Sequence, residues 1–311
     1  MRVAFRGVLH REALLLRGPA GWGEFSPFLE YDDEQASRWL AAGLEAAAGG
    51  WPVAVRERVP VNATVPAVAA AEVDAVLARF PGCTTAKVKV AQAGQVLADD
   101  LDRVAAVRSA LGPQGRVRVD ANAAWSLPDA VRAVTALARY DLEYAEQPCA
   151  ALADLAALRV ALARAGVDVP VAADESIRQA ADPLRVAVAG AADLVVLKVA
   201  PLAGVRAALR VAEACGLPVV VSSALDTSVG IAAGVALAAA LPDLPYACGL
   251  ATTSLLVGDV VEASLDGHGG SIPVGPVAPD PGLLARWSAP PDRDAWWRAR
   301  LARCAALLPG D

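Results

Sequence analysis

From Pro60 onward, short apolar runs of four or five residues alternate with longer stretches whose apolar positions recur every three or four residues. The runs are apolar on both alternating faces, as expected of parallel strands covered by helices on one side and packed against each other on the other. Read in order, the strands are Val61–Val65, Thr85–Val90, Arg116–Asp120, Leu142–Glu146, Val169–Asp174, Leu194–Lys198, Val219–Ser223 and Tyr246–Leu250. Between them, the spacing predicts helices over 67–80, 96–111, 129–140, 153–165, 183–189, 204–215 and 230–240. Successive charged strand ends recur roughly every 24 to 31 residues, the length of a βα unit. Eight such units predict a (β/α) barrel rather than an open doubly wound sheet. No Gly-x-Gly-x-x-Gly follows the first strand, so a dinucleotide fold is not indicated.

Residues 1–57 have another rhythm. Arg2–Leu9 and Glu12–Arg17 alternate like a hairpin, and Gly21-Trp22-Gly23-Glu24-Phe25-Ser26-Pro27 reads as a Gly/Pro-marked loop or strand end. Asp32–Ala48 reads as a helix capped near Asp32 or Asp33 and stopped by Gly49-Gly50. After the eighth strand no clean helix appears; 267–281 is rich in Gly and Pro. The tail around Trp287, Trp296 and Trp297 reads as an amphipathic helix returning to the first module. The expected organisation is an α/β fold: a (β/α)7β modified TIM barrel over 58–270. Residues 1–57 and 271–311 would form an α+β capping domain.

Composition narrows the function. The 311 residues are 56% hydrophobic and carry a net charge of −6, so nucleic-acid binding is not expected. The N-terminus lacks an apolar signal core, and the run Ile231–Leu241 is too short to span a bilayer, so no membrane association is expected. Five scattered cysteines without metal or redox spacing imply reduced thiols and a cytoplasmic protein. The sequence leaves the oligomeric state open, a monomer among the options. With only His10 and His268 available, any proton chemistry falls to carboxylates and lysines.

The strand ends supply both. Lys87 and Lys89 alternate in Thr85–Val90 and so point the same way, an arrangement that is costly in an apolar strand unless anions lie nearby. Asp120, Glu146 and Asp174 end the third, fourth and fifth strands, and Lys198 ends the sixth. In a barrel these positions converge on the catalytic mouth. Three neighbouring carboxylates call for a cation, and an all-oxygen set suits Mg2+, or Mn2+, better than zinc. A metal between ammonium groups is a layout for stabilising an enolate while a proton moves. Lys89 is the expected base, with Lys87, the metal and a dry site lowering its pKa. Lys198 would handle a proton on the opposite face or lie over a substrate ring.

Taken singly, each signal has a plainer reading. A Lys-x-Lys is usually a solvated strand edge, and a strand-final Asp is usually a cap. Arg118 and Asn122 flank Asp120 and are candidates for substrate binding, or equally for hydrogen bonds between strands. Trp22 and Phe25 could close over the mouth or simply pack one module on the other. It is the ordered conjunction, one charged strand end per βα unit, that points to an active site.

Those motifs resemble the enolase superfamily, in its muconate-lactonising-enzyme-like group with a lysine on each side of the metal. Enolase-superfamily sites with a Lys or His base and Mg2+ are a known pattern. Within the group they are most similar to the o-succinylbenzoate synthase family, through Ala86-Lys87-Val88-Lys89, Arg118-Val119-Asp120-Ala121-Asn122, Glu146-Gln147-Pro148-Cys149, Ala173-Asp174-Glu175-Ser176 and Ser222–Gly230. The resemblance implies a hydro-lyase of menaquinone biosynthesis acting on a small carboxylate. It would dehydrate 2-succinyl-6-hydroxy-2,4-cyclohexadiene-1-carboxylate to 2-succinylbenzoate, with Asp120, Glu146 and Asp174 as ligands. It also places Ser222, Ser223 and Gly249 against the succinyl end, where turn chemistry is the alternative. The rival activities are N-acylamino-acid racemisation and, less favoured, dipeptide epimerisation. The latter usually needs an Asp-x-Asp on the eighth strand, where this chain has Gly249-Leu250-Ala251-Thr252-Thr253-Ser254. A non-catalytic barrel would be expected to lack a lysine or an acid, and none is missing.

Overall fold

The computed structural model describes residues 1–2, 8–178 and 184–308. The first module is an antiparallel hairpin, β1 (Leu14–Gly18) and β2 (Gly21–Phe25), followed by helix α1 (Asp33–Leu44). The Asp32 side chain accepts from Gln35 N at 2.7 Å and starts α1 as an N-cap. A π-helical turn, Glu45–Gly49, ends it. Of the two readings for Gly21–Phe25, loop or strand end, the structure shows a strand. Its glycines allow close packing: a Cβ at Gly23 would sit 1.9 Å from the Gly43 carbonyl oxygen of α1. Most of the expected strand Arg2–Leu9 lies outside the described residues, as does Pro183 at the head of the expected helix 183–189.

Strand β3 (Arg58–Pro60) precedes the barrel strands β4 (Ala63–Val65), β5 (Thr85–Lys89), β6 (Arg116–Asp120), β7 (Leu142–Glu146), β8 (Val171–Ala173), β9 (Leu194–Leu197) and β10 (Val219–Val221). From β4 to β10 they form one parallel sheet in sequence order. The helices between them are α2 (Val73–Leu77), α3 (Leu97–Leu111), α4 (Leu127–Leu137), α5 (Leu152–Arg164), α6 (Glu175–Arg178), α7 (Arg185–Val188) and α8 (Val205–Cys215). In α8 the buried positions are Val205, Ala208, Ala212 and Cys215, an apolar stripe at helical spacing.

Several expected elements are shorter than their patterns, two of them markedly. The helix over 67–80 begins only after a 3-10 turn, because Pro66 delays it and the Glu72 carboxylate accepts from Ala69 N. The eighth strand, 246–250, is reduced to two parallel bridges, Val61↔Cys248 and Ser222↔Gly249. They nevertheless close the ring. Cys248 N donates to Pro60 O on one side (2.7 Å), and Gly249 N to Val221 O on the other (2.8 Å). A 3-10 turn over Ala251–Leu255 then takes the place of a longer strand.

Helix α9 (Ser228–Ala240) is buried along nearly its whole length because it lies between the barrel and the hairpin. Glu24 of β2 joins the two at the helix N-terminus, accepting from Thr227 N and Gly230 N, both at 3.1 Å. The chain then returns. β11 (Ser271–Pro273) pairs antiparallel with β3, the short helix α10 (Pro281–Arg286) follows, and α11 (Pro291–Ala305) packs on α1. Trp297 of α11 meets Phe25 edge-on at 5.9 Å, and Arg303 pairs with Asp33 at 2.6 Å. Phe25 is thus packing, not a lid residue.

Candidate active site

Parallel register carries the charged strand ends to one rim. Lys89 on β5 is paired in register with Asp120 on β6, and Asp120 with Glu146 on β7. Asp174 follows β8 and Lys198 follows β9, so three acid-bearing strands separate the two lysine-bearing ones. Side chains alternate along a strand, so Lys87, Arg118 and Tyr144 form the layer beneath. All three acids and all three lysines are buried.

The charges neutralise one another. Lys87 Nζ donates to Glu146 at 2.9 and 3.1 Å and to Asp120 Oδ2 at 3.0 Å; Lys89 Nζ reaches the same Asp120 oxygen at 2.5 Å. Lys198 pairs with Asp174. Burial and the Asp120 charge, with Asp174 behind it, push the Glu146 carboxyl up to about 7 against the pull of Lys87. Burial would raise Asp120 too, but Lys87 and Lys89 together hold it well below the carboxylate range. Burial alone would lower Lys87; Asp120 and Glu146 overrule it and raise that ammonium well above its ordinary value. Lys89 goes the other way: burial lowers it, Lys87 reinforces the fall, and Asp120 only partly offsets it. Of the two, Lys89 is the one whose proton affinity burial lowers on balance.

Asn122, in a left-handed conformation (φ 46°), accepts from Lys89 Nζ at 2.7 Å and donates to Glu175 at 3.2 Å. Lys87, Lys89, Asn122, Lys198, Ser222, Ser223 and Gly249 all line one cavity, which opens to solvent. Ser223 Oγ donates to Gly249 O at 2.9 Å, and a Cβ at Gly249 would lie 2.6 Å from Ser222 Oγ, so glycine keeps this wall thin.

Arg118 does not reach the cavity. Two residues below Asp120, it lies inside the barrel, over Tyr144 at 4.8 Å, donating to Glu143 (2.5 Å) and Ala247 O (2.7 Å). It braces the strands that carry the acids, and the expectation of substrate contact is corrected accordingly. Trp22 faces away as well, lining a separate apolar recess with Trp51.

Other residues at the site carried no sequence signal strong enough to single them out. Phe28, Tyr31 and Trp39 of the first module form an edge-to-face trio with centroids 5.8–6.1 Å apart and make the cavity's apolar side with Leu225. Three aromatics within twelve residues of an aromatic-poor chain were the available clue. Gln147, wholly buried with φ 39°, accepts from Asp174 N at 2.8 Å and fixes the turn that presents Asp174.

Among the described residues no three acidic, His or Cys side chains stand ready-gathered as a metal-ligand set. Ammonium groups sit between the acids instead. The donor chemistry still suits a hard divalent cation: three oxygen ligands on adjacent strands, close enough that Asp120 and Asp174 raise Glu146.

Residues 67–289 match the family described as enolase C-terminal domain-like, and residues 1–47 match enolase N-terminal domain-like. An o-succinylbenzoate synthase of Thermobifida fusca (strain YX) is 59% identical over 98% of this chain and 94% of its own length. One of Mycobacterium leprae (strain TN) is 57% identical over 99% of this chain and 90% of its own. Among solved structures, a muconate lactonizing enzyme from Pseudomonas putida superposes with a TM-score of 0.73 at 22% identity, covering 88% of this chain and 93% of that one. A dipeptide epimerase from Enterococcus faecalis V583 gives 0.70 at 22% identity, covering 86% and 92%. At such identities the solved structures speak to the fold alone.

Proposed function

The chain belongs to the o-succinylbenzoate synthase family of the enolase superfamily, and from that premise we propose that it dehydrates 2-succinyl-6-hydroxy-2,4-cyclohexadiene-1-carboxylate to 2-succinylbenzoate with the help of Mg2+. One observation carries the reading: Lys89 and Lys198, on either side of three acid-bearing strands, open into the same cavity.

Lys89, the lysine whose proton affinity burial depresses, takes the ring proton α to the carboxylate. Its conjugate acid then delivers a proton to the departing hydroxyl on the same face, so one proton and one hydroxyl leave as water and the ring becomes aromatic. Lys87, held charged between Asp120 and Glu146, keeps the Lys89 pKa down. Asn122 orients the Lys89 ammonium. Lys198, on the far side, offsets negative charge over the ring. Asp120, Glu146 and Asp174 would hold the divalent cation, which would supply positive charge beside the substrate carboxylate. Aromatisation makes the step downhill, so positioning and ionisation are the protein's main tasks.

The test is ultraviolet-monitored conversion of the cyclohexadiene substrate with Mg2+, run beside racemisation of an N-succinyl amino acid. Dehydration supports the reading. Rapid racemisation without dehydration replaces it with the racemase activity.

A further inference from the structure

Arg11 lies just before β1, distant in sequence from every charged strand end, yet three chain segments meet on its guanidinium. Nη2 donates to Ser26 O and, at 3.1 Å, to Ala224 O; Nε donates to Leu225 O at 3.2 Å. The same group stacks over the Phe28 ring at 4.5 Å and stands 5.9 Å from Trp39. Its planar fork is spent on carbonyls, the Ser26 hydroxyl and ring faces. The residues it grips are walls of the cavity: Phe28 and Trp39 from the first module, Ala224 and Leu225 from the loop after β10.

Leu225 gives a second, independent sign. It is a buried cavity residue with φ 63°, a left-handed conformation that a leucine adopts only when its surroundings impose it. The constraints on it are visible. Asp226 Oδ2 accepts from Ala224 N at 2.9 Å, and Arg11 takes the carbonyls of Ala224 and Leu225.

We propose that Arg11 is a positioning residue that sets substrate fit: it ties the Phe28 wall of the first module to the strained Leu225 loop of the barrel, so that both present one preformed apolar surface. The inference rests on the dehydration assigned above. Arg11 touches none of the groups that move protons, and its loss therefore falls on binding rather than on the chemical step.

The experiment compares wild type, Arg11→Met, Arg11→Lys, Leu225→Gly and Arg11→Met/Leu225→Gly for kcat and KM on the cyclohexadiene substrate. Arg11→Met raises KM about tenfold while kcat changes less than about threefold. Arg11→Lys recovers only part of the loss, because an ammonium cannot serve three carbonyls and an aromatic face together. In the Leu225→Gly background, where glycine adopts φ 63° freely, Arg11→Met raises KM much less. Unchanged KM in Arg11→Met, full recovery by lysine, or an equal effect in both backgrounds overturns the proposal. If Arg11→Met does not fold, Arg11→Lys with and without Leu225→Gly decides it by the same coupling. A wild type that does not dehydrate the substrate overturns the functional reading and this proposal with it; an active wild type with uncoupled variants overturns this proposal alone.

Discussion

Glu24 offers a test of the joint between the hairpin and the barrel through pH. Its carboxylate accepts from Ser26 Oγ (2.7 Å), Thr227 Oγ1 (2.5 Å), Thr227 N and Gly230 N (both 3.1 Å), and it is buried between β2 and the start of α9. Burial, with the charge of Asp226 behind it, lifts this carboxyl to about 7 from an ordinary 4.5. The folded state therefore binds the proton more tightly than the unfolded chain does. The contribution is fully present below about pH 4.5 and is lost as pH rises through about 7. Integrated between pH 5 and pH 8, that shift is worth about 2.5 kcal/mol. Asp226, also raised by burial, acts in the same direction. Glu24→Gln keeps the shape and the acceptor for the two backbone N–H groups while removing the titration. The wild type should thus lose stability relative to the variant on going from pH 5 to pH 8, by about 5 °C in Tm at roughly 2 °C per kcal/mol for a chain of this size. Thermal unfolding of both proteins in matched buffers measures it. Parallel Tm profiles across that range would refute the argument that burial governs this group.

Three further outcomes follow from the geometry. Lys89→Ala should lower kcat by at least about a thousandfold while the far-ultraviolet dichroism stays that of the wild type, since Lys87 still pairs Asp120; substantial remaining turnover would reject Lys89 as the base. Asp120→Asn should weaken Mn2+ binding at least about tenfold in a calorimetric titration, and an unaltered isotherm would remove Asp120 from the ligand set. Gly23→Ala should lower Tm by several degrees, because its Cβ collides with the backbone of α1 at Gly43 rather than with a side chain that can move; an unchanged Tm would show that the hairpin can lift off α1 at little cost.

Much of the barrel was legible because its rule is local. A five-residue apolar run ending in a charge, followed by a helix-length amphipathic stretch, announces a βα unit wherever it stands, and β5 to β9 lie where that rule put them. Reading failed where length and backbone geometry mattered more than pattern. The eighth strand shrank to Cys248 and Gly249 because two bridging residues suffice to close the ring. Gly21–Phe25 stayed open between loop and strand end because glycines mark turns in isolation, whereas here Gly23 makes room for Gly43.

The chain alone determined which groups could do chemistry: with two histidines and no paired cysteines, three strand-final acids and three strand lysines were the available acid–base machinery, and period-two alternation put each on the inward face. Only the folded molecule decided their depth and their company. Arg118 shares the inward face with Asp120 but sits one layer lower, a distinction of about 6.6 Å along a strand that alternation cannot express. The aromatic side of the cavity, the Arg11 clasp and the Glu24 joint are contacts between segments up to some two hundred residues apart, and such contacts are set by how the modules dock, which no local pattern encodes.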